Sequence, residues 1–164
     1  LTLSGNINGN AAGRDLAIDG AGDTALTGAI GANVGTNATA SLVKTGSGTL
    51  TLGGTGANTY VGTTVINAGT VVAAKASALG ATGAGNTTTV ASGATLALSG
   101  GFTTAETLTL SGQGMSATGA LRNDAGNNTV TGGITLAGEA FVGVAAGTTL
   151  TQQTGVVSGT FGLT

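Results

Sequence analysis

Histidine, cysteine, proline and tryptophan are all missing from this 164-residue sequence. Without histidine or cysteine, neither a Ser-His-Asp nor a Cys-His catalytic arrangement can be built, and zinc loses its usual ligands. Charge is scarce too. Charged residues make up 6% of the chain, against roughly 25% in ordinary soluble domains. The net charge of −2 leaves no footprint for nucleic acid, which needs clustered Lys and Arg. Aromatic residues, at 2%, are too few for a carbohydrate-stacking platform. No apolar run approaches the roughly 18 residues of a membrane-spanning helix, so no membrane insertion by this segment is expected.

Glycine is abundant, with 33 copies, and 40% of the residues are hydrophobic. Disorder requires low hydrophobicity together with high charge, so this composition predicts an ordered interior. The apolar set is mostly Ala, Val and Leu. Side chains of that size fill only a narrow core at native packing density. The chain opens "LTLSG", with no initiator Met and no signal peptide, and reads as an excised segment of a longer protein.

Self-similarity is the strongest feature. "GSGTLTL" (46–52), "NAGTVVA" (67–73), "ASGATLAL" (91–98) and "AAGTTLT" (145–151) share one plan, a glycine followed by alternating small and apolar residues. "LTLSG" stands at 1–5 and again at 108–112. A period of about 20–25 residues points to a solenoid. The runs alternate with period two and are rich in Thr and Val, which is strand patterning. Gly, Asn and Ser separate them, as tight corners require. Only "VVAAKASALG" (71–80) carries helix formers with a terminal glycine, a candidate helical turn.

The expected fold is therefore all-β, a right-handed parallel β-helix, since parallel crossovers are almost always right-handed. Residues 1–164 form one solenoid segment, a unit or fragment of a longer repeat array. Coils of about 20–27 residues, stacked about 4.8 Å apart, give roughly seven coils and a rod about 35 Å long. Leu50, Leu52, Val65 and Val71 are expected to point inward, and Thr, Ser and Asn outward.

Residues 42–80 resemble the autotransporter-associated β-strand repeat of passenger regions in type V secreted bacterial proteins. The residues that carry the likeness are Leu42, Lys44, Gly46, Gly48, Thr49, Leu50 and Leu52, then Ala57, Asn58, Tyr60, Gly62 and Thr64. They continue with Asn67, Ala68, Gly69, Thr70 and Val71, and end with Ala78, Leu79 and Gly80. "GALRNDAGNNTVTGGITLAG" (119–138) is similar to family sequence downstream, and residues 6–41 match poorly. "GGTGANTY" and "YVGTT" depart from the family pattern and suggest altered corners. The resemblance implies a right-handed β-helix, a stalk role, and a place outside the cell or on the surface of a Gram-negative-type bacterium.

The remaining chemistry is thin. Of six acids, only Asp15, Asp19 and Asp23 cluster, a weak Ca²⁺ candidate; solvated loop acids paired with Arg14 are the plainer expectation. Lys44 and Lys75 are expected outside, as solubilising residues, and Arg122 and Asp124 at one corner. Asn6, Asn8 and Asn10 would form an Asn ladder. Tyr60, Phe102, Phe141 and Phe161 would plug the core or its corners. No cofactor and no enzymatic activity are expected. Two functional classes remain. One is a structural rod, as a stiff stalk or a head-to-tail fibre in a surface or biofilm scaffold. The other is an adhesin module that binds cells through loops, such as residues 9–41, or through a Thr-rich face. The stretches 1–13 and 140–164 carry no charge, so the expected partner is another copy, head-to-tail or in tandem. The uncharged runs 45–74 and 76–105 suggest side-by-side association as well.

Overall fold

The computed structural model describes residues 1–8, 14–31, 41–83 and 85–164. The chain winds through seven rungs. The first holds β1 (Thr2–Leu3), β2 (Ile7–Asn8) and β3 (Leu16–Ile18), and the second β4 (Thr24–Leu26), β5 (Ile30–Gly31) and β6 (Leu42–Lys44). The third and fourth each hold two strands: β7 (Thr49–Leu52) and β8 (Thr64–Ile66), then β9 (Thr70–Ala73) and β10 (Thr87–Val90). The fifth holds β11 (Thr95–Ser99), β12 (Thr103–Thr104) and β13 (Thr107–Gly112). The sixth holds β14 (Leu121–Ala125), β15 (Asn127–Val130) and β16 (Ile134–Ala140). The last holds β17 (Val142–Val144), β18 (Thr149–Gln152) and β19 (Val157–Gly159).

Every named strand pair is parallel, so the fold is an all-β solenoid. One sheet runs β1-β4-β7-β9-β11-β14-β17 and the other β3-β6-β8-β10-β13-β16-β19. Six full turns separate the first and last strands of each sheet. The advance per turn varies, being shorter at Thr88↔Leu108 than at Thr24↔Leu50, and both pairs fall within the coil length expected from the repeats. Residues 71–80 are not helical. β9 continues to Ala73, and a turn follows in which the Ala78 N–H donates to the Lys75 carbonyl at 3.1 Å. Among the described residues there is no α-helix, and one 3₁₀ turn lies at Met115–Ala117. Among the described residues no helix is long and apolar enough to cross a membrane.

The core is a thin column of aliphatic side chains. Leu50 and Leu52 of β7, Val71 of β9, Leu96 and Leu98 of β11 and Leu121 of β14 are buried one above another. Full burial of a side chain of this class stabilises by about 1.5–3 kcal/mol. Two expectations about facing are corrected. Val65 points outward, because Thr64 and Ile66 on either side of it are the buried residues of β8. Thr and Asn are not confined to the outside: Thr24, Thr64, Thr70, Thr88, Thr95, Thr104, Asn58, Asn123 and Asn128 are buried.

The glycine motif follows from the close stacking of coils. A Cβ at Gly46 would collide with the backbone of Gly20 in the coil before it, and one at Gly48 with Ala21 and Gly22. Gly48 N–H donates to the Gly20 carbonyl at 3.0 Å. Gly69 turns the next corner at φ 72, a left-handed conformation that favours glycine.

Candidate functional site: a polar spine inside the solenoid

Alternation along each strand decides which polar groups enter the core. In β6, Leu42 faces inward and so does Lys44, two residues on. Lys44 is 2% exposed, and the expectation of an outward solubilising residue is corrected. Its ammonium donates to the carbonyl of Gly46 and, at 3.5 Å, to that of Ala68 in the next coil. Burial lowers its pKa, and the nearby charge of Asp19 partly offsets this. Lys75 is also turned back onto the protein. It donates to the Gly56 carbonyl at 2.5 Å and to Asn58 Oδ1 at 3.1 Å, and burial lowers its pKa too.

Asn58, which is buried, connects three coils. Its Oδ1 accepts from the Ile30 N–H at 3.0 Å, and its Nδ2 donates to the Ala78 carbonyl at 2.7 Å. The side chain replaces ladder bonds where, among the described residues, the third and fourth rungs have no third strand. Asn128 and Asn123 act alike higher up. Asn128 Oδ1 accepts from the Phe102 N–H at 2.9 Å, and its Nδ2 donates to Asn123 Oδ1 at 2.6 Å. Asn123 Nδ2 reaches Thr148 Oγ1 at 2.8 Å in the last coil.

Two residues beyond Asn58, Tyr60 plugs the core as expected, at 2% exposure. Its hydroxyl and Thr64 Oγ1 are 2.7 Å apart, and Thr64 donates to the Leu79 carbonyl at 3.3 Å. Gly80 lies against the Tyr60 ring, and Gly62 is buried nearby. Thr64 is in register with Thr88, and the Thr88 hydroxyl donates to Glu106 Oε1 at 2.8 Å. The other carboxyl oxygen, Oε2, is buried without a partner. Burial therefore pushes the Glu106 carboxyl up to about 7, with the Thr88 hydrogen bond pulling the other way. Burial also raises the Tyr60 phenol, which the Thr64 hydrogen bond lowers and the charge of Glu106 raises further.

Glu106 was absent from the expected sites, although a signal for it existed. In "ETLTL" (106–110) it shares parity with Leu108 and Leu110, which face inward. The acidic cluster behaves differently from expectation. Among the described residues no three His, Cys, Asp or Glu side chains gather as a metal-ion cage. Asp15 and Asp23 accept the backbone N–H groups of Ser41 and Thr49, at 3.0 and 2.9 Å. They cap the following coil and do not pair with Arg14. Arg122 and Asp124 do pair, at 2.5 Å, but on the outward face of β14, not at a corner. Asn6 caps Ala29 at 2.9 Å; Asn10, the third member of the expected Asn ladder, lies outside the described residues. Of the loop expected at 9–41, residues 9–13 and 32–40 are outside the described residues, while 14–31 carry β3, β4 and β5. Phe102 packs against the core, and Phe161 is 50% exposed in the last coil.

The site is thus a set of hydrogen bonds between coils. Residues 42–73 match the family described as Passenger-associated-transport-repeat. The matched stretch spans β6 to β9, with Lys44, Asn58, Tyr60 and Thr64 inside it. No curated protein and no solved structure matches the chain.

Proposed function

We propose that this segment is a stiff stalk in a secreted or surface protein of a Gram-negative-type bacterium, a reading supported by the match of residues 42–73 to the Passenger-associated-transport-repeat. The observation that carries the reading is the pair of unbroken seven-stranded parallel sheets. From the second coil to the last, each coil is tied to the next both by the ladder and by Asn58, Thr64, Thr88, Asn128 and Asn123 inside it. In a solenoid every coil contacts only its neighbours, so what such a segment supplies is length and rigidity. We assign it no catalytic role. Glu106, the acid inside the core, is sealed and bonded to Thr88.

The test is made on the passenger that carries this segment, displayed on cells. Deletion of the segment is expected to bring the distal part of the passenger closer to the cell surface by about 34 Å, seven rungs at about 4.8 Å. Adhesion is expected to be unchanged when the length is restored with an unrelated β-solenoid. Loss of adhesion in that replacement, with the purified segment competing for cells, would instead make it an adhesin module.

A further inference from the structure

Two departures from the regular ladder meet on one flank of the rod, with further coils on either side of them. The first is in β16. Between the pairs Leu110↔Leu136 and Gly112↔Ala140, two steps along β13 face four along β16. A bulge of this kind bends the strand and re-aims a side chain, and the residue it leaves exposed beside Ala140 is Glu139. The second is the corner from β13 to β14, residues 113–120, where 67–69 and 91–94 make the equivalent corners of earlier coils. Ser116 and Ala117 stand there at φ 53 and φ 56, left-handed conformations that non-glycine residues rarely take. The fully buried Thr95 hydroxyl pins this corner. It accepts from the Met115 N–H at 2.8 Å and donates to the Gly119 carbonyl at 2.9 Å. Arg122 Nη1 adds a bond to Thr118 Oγ1 at 2.9 Å. Backbone held in such conformations by its surroundings gathers at ligand clamps.

Between the bulge and the corner lies a pocket of about 350 Å³, lined by Ser92, Gly112, Gln113, Gly114, Glu139 and Phe141 among others. That is the size of a small-molecule site. Phe141 is fixed through its N–H, which donates to the Gly112 carbonyl at 3.0 Å. Among the described residues the Ser92 hydroxyl, the Gln113 side-chain amide and the Glu139 carboxylate have no hydrogen-bond or ion-pair partner. Polar side chains elsewhere on the rod, such as Asn6, Asp15, Asp23 and Asn127, are taken up in capping the next coil.

The wall selects a class of ligand. A carboxylate only accepts hydrogen bonds, whereas a hydroxyl and an amide both donate and accept. With one aromatic side chain beside them, these groups match a neutral sugar, whose hydroxyls donate and accept and whose C–H face is apolar. An anion is repelled by Glu139, and a cation leaves the donors of Gln113 and Ser92 unused. The scarcity of aromatic residues excludes a platform of several rings, but one sugar unit needs only one.

We propose that this pocket binds one neutral sugar unit of a glycan. Glu139 accepts from adjacent hydroxyls, Gln113 and Ser92 complete the hydrogen bonds, and Phe141 lies against the C–H face. The proposal does not rest on the stalk reading. The stalk is tested by distance and the pocket by sugar binding, so either can fail alone.

The experiment is titration calorimetry on the passenger that carries this segment, with glucose, galactose and mannose as probes and glucuronate and glucosamine as charged comparisons. Saturable binding of at least one neutral hexose is expected, with weaker binding of glucuronate. Glu139→Gln is expected to weaken the hexose about tenfold, the loss of one hydrogen bond to a charged group. Phe141→Ala is expected to weaken it too. A strand-type circular dichroism spectrum shows that each variant is folded. Glu139 is exposed, so Glu139→Gln decides if Phe141→Ala does not fold. Absence of saturable binding for all three hexoses overturns the proposal. So does binding that Glu139→Gln leaves unchanged, which places the sugar elsewhere on the passenger. A preference for glucosamine over glucose that is lost in Glu139→Gln makes the pocket a cation site and overturns it as well.

Discussion

At Glu106 a carboxyl group occupies a position that leucine fills two and four residues later. One oxygen is bonded to Thr88 and the other has no partner, and the group titrates at about 7 instead of 4.5. The folded state then holds a proton that the unfolded chain releases. Stability is full below pH 4.5, falls as pH rises from there to about 7, and levels off above, where both states are ionised. A shift of that size corresponds to a loss on the order of 3 kcal/mol. In denaturant melts from pH 4 to 9, Glu106→Gln, which holds the neutral form at all pH values, is expected to remove this slope. An unchanged slope in the variant would refute the assignment. Residues of this kind are legible only through parity. The sequence presents Glu106 as an isolated acid in a Thr-rich run, and nothing but its spacing from Leu108 and Leu110 says that it enters the core.

At the scale of strands and corners, the glycine spacing and the Thr/Val alternation made the solenoid legible, because they state directly where the chain turns and how it is pleated. Facing was less legible. Thr is as common inside as outside a narrow column, and the choice at β8 is made by Tyr60, whose buried hydroxyl needs the Thr64 oxygen. Thr64 and Ile66 therefore turn inward and Val65 outward. The same parity argument was open for Lys44 from its spacing to Leu42, but a lysine is so rarely buried that composition pointed the other way. The two placements differ in energy. An exposed lysine tolerates truncation within about 0.5 kcal/mol. At the observed position, Lys44→Ala leaves a void and strips the Gly46 and Ala68 carbonyls of a donor, and a loss of about 2–4 kcal/mol is expected. Chemical denaturation measures it, and a change no larger than that of an exposed lysine would return Lys44 to the surface.

For the whole molecule, each coil is held by its neighbours alone, so local stability must follow position along the rod. The middle rungs combine buried aliphatic side chains with Asn58, Thr64, Thr88 and Glu106 bonded between coils. The first rung has short strands with exposed residues at β1, and β19 is exposed throughout. Opening of an end coil breaks one interface, whereas opening of a middle coil breaks two. Amide exchange in dilute monomer is therefore expected to be slowest in β9 to β13 and fastest in β1 to β3 and β17 to β19, with the difference reaching several kcal/mol. Uniform protection along the dilute chain would show a single cooperative block and contradict the coil-by-coil picture.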